Sequence, residues 1–143
     1  AVFKTLKRGG FSIILPDHVP EPSGGVVVPF FGVKTLTSTL APKLASKTKC
    51  ALVGLSCIRR DDNRGFDIYC YKLDDPALYD RNTEVATHAL NIAMQEMIED
   101  QCSHYMWGYR RFKRIPNLGN PYRADSSKLQ AFLKSAKDKR YKT

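Results

Sequence analysis

Short apolar runs alternate with helix-like patterns along this chain, and the alternation constrains the fold more than any other feature. Strand-like runs cover Phe11–Leu15, Val26–Phe31 and Cys50–Ile58, and an alternating run follows at Phe66–Leu73. The clearest helical spacing extends from Asn82 to about Asp100. Helices that alternate with strands favour layers in which helices cover a sheet. We therefore expect an α/β fold, a layered sheet flanked by helices, in a domain that is incomplete.

The strand and helix patterns predict several local features. The nearly continuous apolar run Cys50–Ile58 predicts a strand covered on both faces, and the turn at 61–65 predicts an antiparallel hairpin with Phe66–Leu73. In the long helix, Val85, Ala89 and Ile92 start one apolar stripe, widened by neighbours that include Leu90 and Met94. Shorter helical pieces are expected at 1–8, from Thr37 or Ser38 to about Ser46, at 104–112 and within 128–142.

Composition and apolar length exclude several classes of protein. The chain is 43% hydrophobic and 26% charged, which excludes collagen-like, low-complexity and wholly disordered chains. Its longest uncharged stretch, Pro22–Val33, has twelve residues and contains three glycines and two prolines. A membrane-spanning helix needs about 20 apolar residues, so the sequence predicts no span. The start AVFKTLKRGG lacks the pattern of a secretory signal.

The net charge of +9 is confined to one end of the chain. Residues 1–100 contain 12 Lys and Arg against 12 Asp and Glu, whereas residues 101–143 contain 11 Lys and Arg against Asp125 and Asp138. A one-sided positive charge predicts an anionic partner, either phosphate-bearing lipid or nucleic acid. The alternative is a solubilising tail.

The cysteines and histidines suggest neither a metal site nor a catalytic base. No C-x-x-C spacing occurs, and we expect free buried thiols of a reducing compartment at Cys50, Cys57, Cys70 and Cys102. An acyl-transfer dyad of the H-x4-D/E type needs a carboxylate five residues after the histidine. The residues five positions after His18, His88 and His104 are Ser23, Ala93 and Tyr109. The sequence therefore predicts no catalytic residue, no metal and no cofactor in this chain.

Two segments are specific enough to suggest a family. The first runs through ILPDH at 14–18 to GVVVPFFGV at 25–33, and the second is HYMWGYRRFKR at 104–114. In order and spacing they resemble the C-terminal half of the bacterial lipid A biosynthesis acyltransferases (lauroyl and myristoyl transferases). That family has L-P-D-Q, then G-V-x-V-P-F-F-G, then Y-M-W-x-Y-R-R-F-K. The resemblance covers residues 1–114 and leaves 115–143 as a basic C-terminal tail; His18 stands where the family usually has Gln.

The resemblance implies an enzyme of lipopolysaccharide biosynthesis. Such an enzyme transfers a fatty acyl chain from an acyl carrier protein thioester to a hydroxyl of a glycolipid precursor, at the cytoplasmic face of the bacterial inner membrane. The expected fold is the C-terminal part of a glycerolipid-acyltransferase-like domain. The family's H-x4-D/E dyad and N-terminal membrane anchor precede the L-P-D segment and are absent here. We therefore expect a soluble fragment that lacks the catalytic base and is inactive alone.

Four residues are candidates for substrate binding. Asp17 follows a predicted buried strand, where open α/β sheets place ligands, and the resemblance makes Asp17 and His18 substrate-positioning residues. The alternative for Asp17 is a turn or N-cap aspartate. Phe30 and Phe31 are expected to line an acyl-chain groove or, as an equal alternative, to pack in the core.

The second segment interleaves aromatic and basic residues. Rings at headgroup depth and guanidinium groups on phosphates would suit an anionic membrane surface. The residues predicted to contact that surface are Arg110, Arg111, Lys113 and Arg114. The alternative is a helix packed on the core with a solvated basic edge.

Two rival functions remain open at this stage. A small basic nucleic-acid-binding module would also use aromatics and cations, by stacking and phosphate contact. Such a module is expected to carry its aromatics on a strand platform, whereas here they cluster on a predicted helix, so nucleic acid is the less favoured partner. The other rival is a structural remnant with no activity.

Overall fold

A computed structural model describes residues 1–140 of the chain and the side chains of residues 1–135. Four α-helices and four β-strands form within this part, in the order α1 Val2–Lys7, β1 Gly25–Phe30, β2 Val33–Ser38, α2 Leu40–Thr48, β3 Leu52–Arg59, β4 Phe66–Leu73, α3 Thr83–Asp100 and α4 Ser126–Arg140. The mixed α/β composition is confirmed.

The strands form two separate antiparallel hairpins, β1–β2 and β3–β4. The predicted β3–β4 hairpin is confirmed, with Leu52 opposite Leu73 and Arg59 opposite Phe66. The single layered sheet is not confirmed. Strand β2 replaces the predicted start of a helix at Thr37 or Ser38, since β-branched threonines at alternate positions favour a pleated strand.

The predicted strand Phe11–Leu15 is not formed. Phe11 is 85% exposed and Ile13 is 77% exposed. A strand needs a hydrogen-bonding neighbour, and no strand of the described residues pairs with this segment. An apolar run predicts burial but does not supply the partner.

The predicted helix at 104–112 is also wrong. A short 3-10 turn at Cys102–His104 is followed by tight turns, in which the N–H of Trp107 donates to the Tyr105 carbonyl at 2.8 Å. The N–H of Arg111 likewise donates to the Tyr109 carbonyl at 2.8 Å. Aromatic residues together with Gly108 have low helix propensity, and this favours the turns.

Helix α3 organises the core. The Asn82 side chain accepts the Glu84 N–H at 2.9 Å and caps its first turn. Its buried stripe includes Leu90, Met94 and Ile98, whereas Val85 and Ile92 of the predicted stripe are 42% and 44% exposed. The core cluster consists of Phe30, Leu78, Ala89, Leu90, Met94 and Ile98.

The expectation of buried thiols is wrong for three of the four cysteines. Cys57, Cys70 and Cys102 are exposed, and Cys50 is partly buried. Cys57 and Cys70 lie on β3 and β4, on the side of the hairpin that α3 does not cover. The predicted cover on the second face is missing.

The C-terminal region contains the predicted basic helix as α4, and residues 141–143 lie outside the described part. Ile115 and Leu118 are buried, so the chain still packs on the domain just after residue 114. The boundary between domain and tail stays a prediction. Among the described helices, none combines the length and apolarity that crossing a membrane requires.

Candidate functional site

Two tyrosines of the second segment hold the loop that follows residue 15. The Tyr105 hydroxyl donates to Asp17 Oδ2 at 2.9 Å, and the Val19 N–H donates to the Tyr109 hydroxyl oxygen at 2.9 Å. The His18 ring lies on Tyr109 with 5.1 Å between ring centroids. The structure thus brings together the two segments that the sequence singles out, although about 90 residues separate them.

The hydrogen bond to Asp17 has a defined polarity. Burial raises the pKa of Tyr105, and the neighbouring Asp17 carboxylate raises it further. The hydroxyl therefore stays protonated at neutral pH and remains the donor. A half-buried carboxylate with one oxygen fixed in this way keeps its other oxygen free to accept a hydrogen bond from a ligand.

Arg111 does not belong to an exposed basic surface, which corrects the sequence prediction. It is 2% exposed, and its guanidinium lies 4.8 Å from the centroid of the Phe30 ring. It donates to the Leu36 carbonyl at 2.9 Å and to Thr37 Oγ1 at 2.7 Å. Burial lowers the pKa of Arg111, and the charge on Asp17 is among the groups that oppose this change. Arg111 therefore anchors the second segment to β2.

Asn91 completes this buried network from α3. It is fully buried, and its amide donates to the Pro29 carbonyl at 2.7 Å and to Thr37 Oγ1 at 3.3 Å. Thr37 is therefore the common partner of Asn91 and Arg111. The network joins α3, the β1–β2 hairpin and the second segment. It therefore holds in place the segment that contains Tyr105.

The two phenylalanines have different environments. Phe30 is fully buried in the core cluster, which agrees with the core alternative left open by the sequence. Phe31 is partly buried in the two-residue turn between β1 and β2, with φ of 46°. Its N–H donates to Gln95 Oε1 at 2.8 Å, and its ring lies 5.9 Å from that of Trp107. A bulky residue with positive φ is strained, and these contacts hold it in place.

The remaining basic residues of the segment are accessible to different degrees. Arg110 is exposed, with its guanidinium 5.9 Å from the Tyr122 ring. Lys113 and Arg114 are partly buried, and Arg114 pairs with Glu21 at 3.3 Å. Three of the four predicted residues therefore retain a route to solvent.

Comparison with known proteins identifies the family. A family described as "Bacterial lipid A biosynthesis acyltransferase" matches residues 1–114. The chain belongs to this family. It is 32% identical over 117 residues to "Lipid A biosynthesis lauroyltransferase" of Escherichia coli K12, covering 80% of this chain and 38% of that protein. It is 28% identical over 108 residues to "Lipid A biosynthesis acyltransferase" of Haemophilus influenzae Rd, covering 74% of this chain and 34% of that protein.

In this lipid A acyltransferase family member, Asp17 borders a large apolar cavity. The cavity of about 920 Å³ lies between residues 9–17, β3 and α3, and Tyr105 also contributes to its wall. A cavity of this size falls within the range that binds small organic ligands. The arrangement can place an apolar group beside an oriented carboxylate. Among the ion pairs of the described side chains, none joins a histidine to a carboxylate.

Sequence reasoning missed several residues of the candidate site. It assigned the rings of the second segment, which include Tyr105 and Tyr109, to headgroup depth at a membrane surface, whereas these two tyrosines bind the Asp17 loop. It gave Thr37 only as a possible helix start, and it did not single out Asn91. A usable signal for Asn91 was its position next to Leu90 on the apolar stripe of α3, because a lone amide on such a face needs buried partners.

Proposed function

We propose that this chain is the Asp17-bearing part of an enzyme that transfers a fatty acyl chain from an acyl carrier protein thioester to a hydroxyl of a glycolipid precursor of lipid A. The observation that carries the proposal is the Tyr105–Asp17 hydrogen bond at the wall of the apolar cavity. It joins the two family segments at one point. It also places the Asp17 carboxylate beside the apolar cavity. The acceptor hydroxyl requires the polar group, and the acyl chain requires the apolar space.

The reaction needs a base, an attacking oxygen and a site for the oxyanion. The base removes the proton of the acceptor hydroxyl while the oxygen attacks the thioester carbonyl, and the thiolate then leaves. Donors aimed at the carbonyl oxygen stabilise the intermediate. Asp17 is proposed to orient the acceptor hydroxyl through its free oxygen. The His–carboxylate pair that the family resemblance implies is proposed to come from outside these 143 residues.

We expect no acyl transfer from the purified 143-residue chain. Loss of a general base alone typically lowers a rate about 10²–10⁴-fold. The measurement is transfer of radiolabelled lauroyl from acyl carrier protein to a lipid A precursor. The positive arm is the Escherichia coli lauroyltransferase with its matching segment replaced by residues 1–114.

Activity of the chain alone that disappears on His18→Ala would contradict the absence of a base. A folded but inactive chimera would favour the structural-remnant alternative, because the rest of the chimera comes from an active enzyme.

A second proposed activity is docking of the C-terminal region on an anionic membrane surface, such as the inner leaflet of the bacterial inner membrane. Met106 is 74% exposed and Trp107 is 56% exposed, immediately before the basic residues of the second segment. Large apolar groups next to cations favour the boundary between headgroups and acyl chains. Within residues 101–135, where the structure describes the side chains, the exposed cations available for this contact are Arg110, Arg123, Lys128 and Lys134.

The expected strength of this contact follows from the number of exposed cations. Each Lys or Arg near an anionic leaflet contributes about 1 kcal/mol. The four exposed cations would therefore contribute about 4 kcal/mol, a roughly thousandfold increase in partitioning. Nucleic acid would use the same charges, so binding to a single polyanion does not identify the partner.

We expect Trp107 fluorescence to shift to the blue with anionic liposomes, and to keep that shift when single-stranded RNA is added at matched phosphate. Insertion of the indole into the interface is favourable for lipid and has no counterpart in phosphate contact alone. Arg110→Glu should weaken the binding, whereas Lys47→Glu, an exposed lysine of α2, should not. Displacement of the liposomes by RNA would favour the nucleic-acid-binding alternative.

A further inference from the structure

The β3–β4 hairpin is apolar on a face that nothing in the described structure covers. Residues opposite each other in an antiparallel pair point to the same side, and the register places Leu55 opposite Cys70 and Cys57 opposite Ile68. Leu55 is 57% exposed and Ile68 is 68% exposed. The uncovered side also includes Val53 at 59% and Phe66 at 54%. We call this set of six residues the outer face.

The opposite side of the same hairpin packs against α3. Gly54 is buried against Met97, and a Cβ at this position would overlap the Met97 sulfur. The Tyr71 hydroxyl donates to Asp100 Oδ2 at 3.1 Å, near the end of α3. The hairpin therefore cannot turn its outer face inward without losing these contacts, and the exposure of the outer face is built into the fold.

The segment Phe11–Leu15 has the same character. Its three large outward side chains, Phe11, Ile13 and Leu15, are 85%, 77% and 60% exposed. In the described part of the chain, the backbone hydrogen bonds outside regular elements include no donor from residues 11–15. This segment forms one wall of the 920 Å³ cavity, and β3 lines the same cavity. A neighbouring strand would bury the apolar side chains and accept hydrogen bonds from the unpaired backbone donors.

We propose that the outer face and the Phe11–Leu15 segment form one docking surface for further acyltransferase polypeptide, corresponding to the part of the relatives' length that this chain does not match. This chain covers 38% and 34% of its two curated relatives, so most of their length has no counterpart here. The docked polypeptide pairs with Phe11–Leu15 in the cavity and covers the outer face of the hairpin.

The surface is continuous with the candidate site. Asp17 and Pro16 line the same cavity, immediately after Leu15. Polypeptide that fills this cavity therefore extends to the Asp17 carboxylate. Catalytic groups that this chain lacks would then lie close to the acceptor hydroxyl. The proposal of this docking surface rests on family membership and on the exposure of its apolar side chains, and not on the proposed role of Asp17.

Other occupants fit the surface less well. An acyl chain in the cavity would leave Phe66, Ile68 and Cys70 exposed, because these residues of β4 do not line it. The hairpin region 51–73 contains four Lys and Arg against three Asp, so it lacks the basic excess that draws a chain to an anionic leaflet.

Thiol labelling tests the surface in a complete relative. Single cysteines are placed in the Escherichia coli lauroyltransferase at the positions that align with Leu55, Ile68 and, as a control, Leu40, which is 54% exposed on α2. We expect the first two to react with a maleimide about tenfold or more slowly than the control, because a covered thiol reacts only after local opening. In the 143-residue chain, with its native cysteines replaced by serine, all three positions should react at similar rates.

Each other outcome overturns the proposal. Equal labelling at all three positions of the relative shows that nothing covers the surface. Protection at the Leu55 position without protection at the Ile68 position indicates an occupant confined to the cavity, such as an acyl chain. Protection in the 143-residue chain that increases with its concentration identifies a second copy as the occupant. Because the readout is labelling, an inactive enzyme does not affect the result.

Discussion

Asp17→Asn is expected to lower turnover about 100-fold, the size of effect that misplacing a reacting group can have. The test enzyme is the Escherichia coli lauroyltransferase that carries residues 1–114 in place of its matching segment. The asparagine keeps an oxygen that accepts from Tyr105 at a similar distance, but it loses the negative charge. Because Asp17 is only half-buried, the loss of stability should be about 1 kcal/mol or less. We expect kcat to fall while the melting temperature changes little.

Two further variants separate positioning from folding. Tyr105→Phe removes the donor but keeps the carboxylate, so it should lower kcat less than Asp17→Asn. Asp61→Asn changes an exposed aspartate in the β3–β4 turn and should leave both kcat and melting temperature unchanged. A fall in activity that follows the melting temperature would make Asp17 a turn residue.

Elements stabilised by local interactions were predictable from the sequence. The β3–β4 hairpin follows from alternation around a turn, and α3 follows from its apolar spacing and the Asn82 cap. The strand prediction for Phe11–Leu15 was wrong because a strand requires a hydrogen-bonding neighbour, and the pattern of one segment does not specify that neighbour. The helix prediction for residues 104–112 was wrong because their conformation depends on contacts with Asp17 and Val19, about 90 residues away.

The candidate site shows the same division. The motifs that contain Asp17 and Tyr105 were recognisable, but the hydrogen bond between them was not. The run YRRFKR contains two adjacent arginines that no local pattern distinguishes. Arg111 is the buried one because its guanidinium reaches the Leu36 carbonyl and Thr37 Oγ1, 75 and 74 residues away. Only the fold decides which arginine becomes structural.

Arg111→Met is expected to lower the free energy of unfolding of the 143-residue chain by about 2 kcal/mol, as loss of charged hydrogen bonds outweighs relief of a buried charge. The variant removes donors to Leu36 and Thr37 and the contact with the Phe30 ring. Methionine keeps much of the volume, so the effect reports the guanidinium more than a cavity. Denaturant titration followed by circular dichroism measures it.

The adjacent arginine supplies the matched control for this prediction. Arg110→Met removes an equal charge from an exposed position and should change the free energy of unfolding by about 0.5 kcal/mol or less. Arg111→Lys should recover only part of the loss, because an ammonium lacks the planar fork that reaches the two acceptors at once. Equal effects at positions 110 and 111 would contradict the structural role of Arg111. A large effect at 111 alone would show that the basic segment is fastened to β2 through this residue, which leaves its neighbours free to contact an anionic surface.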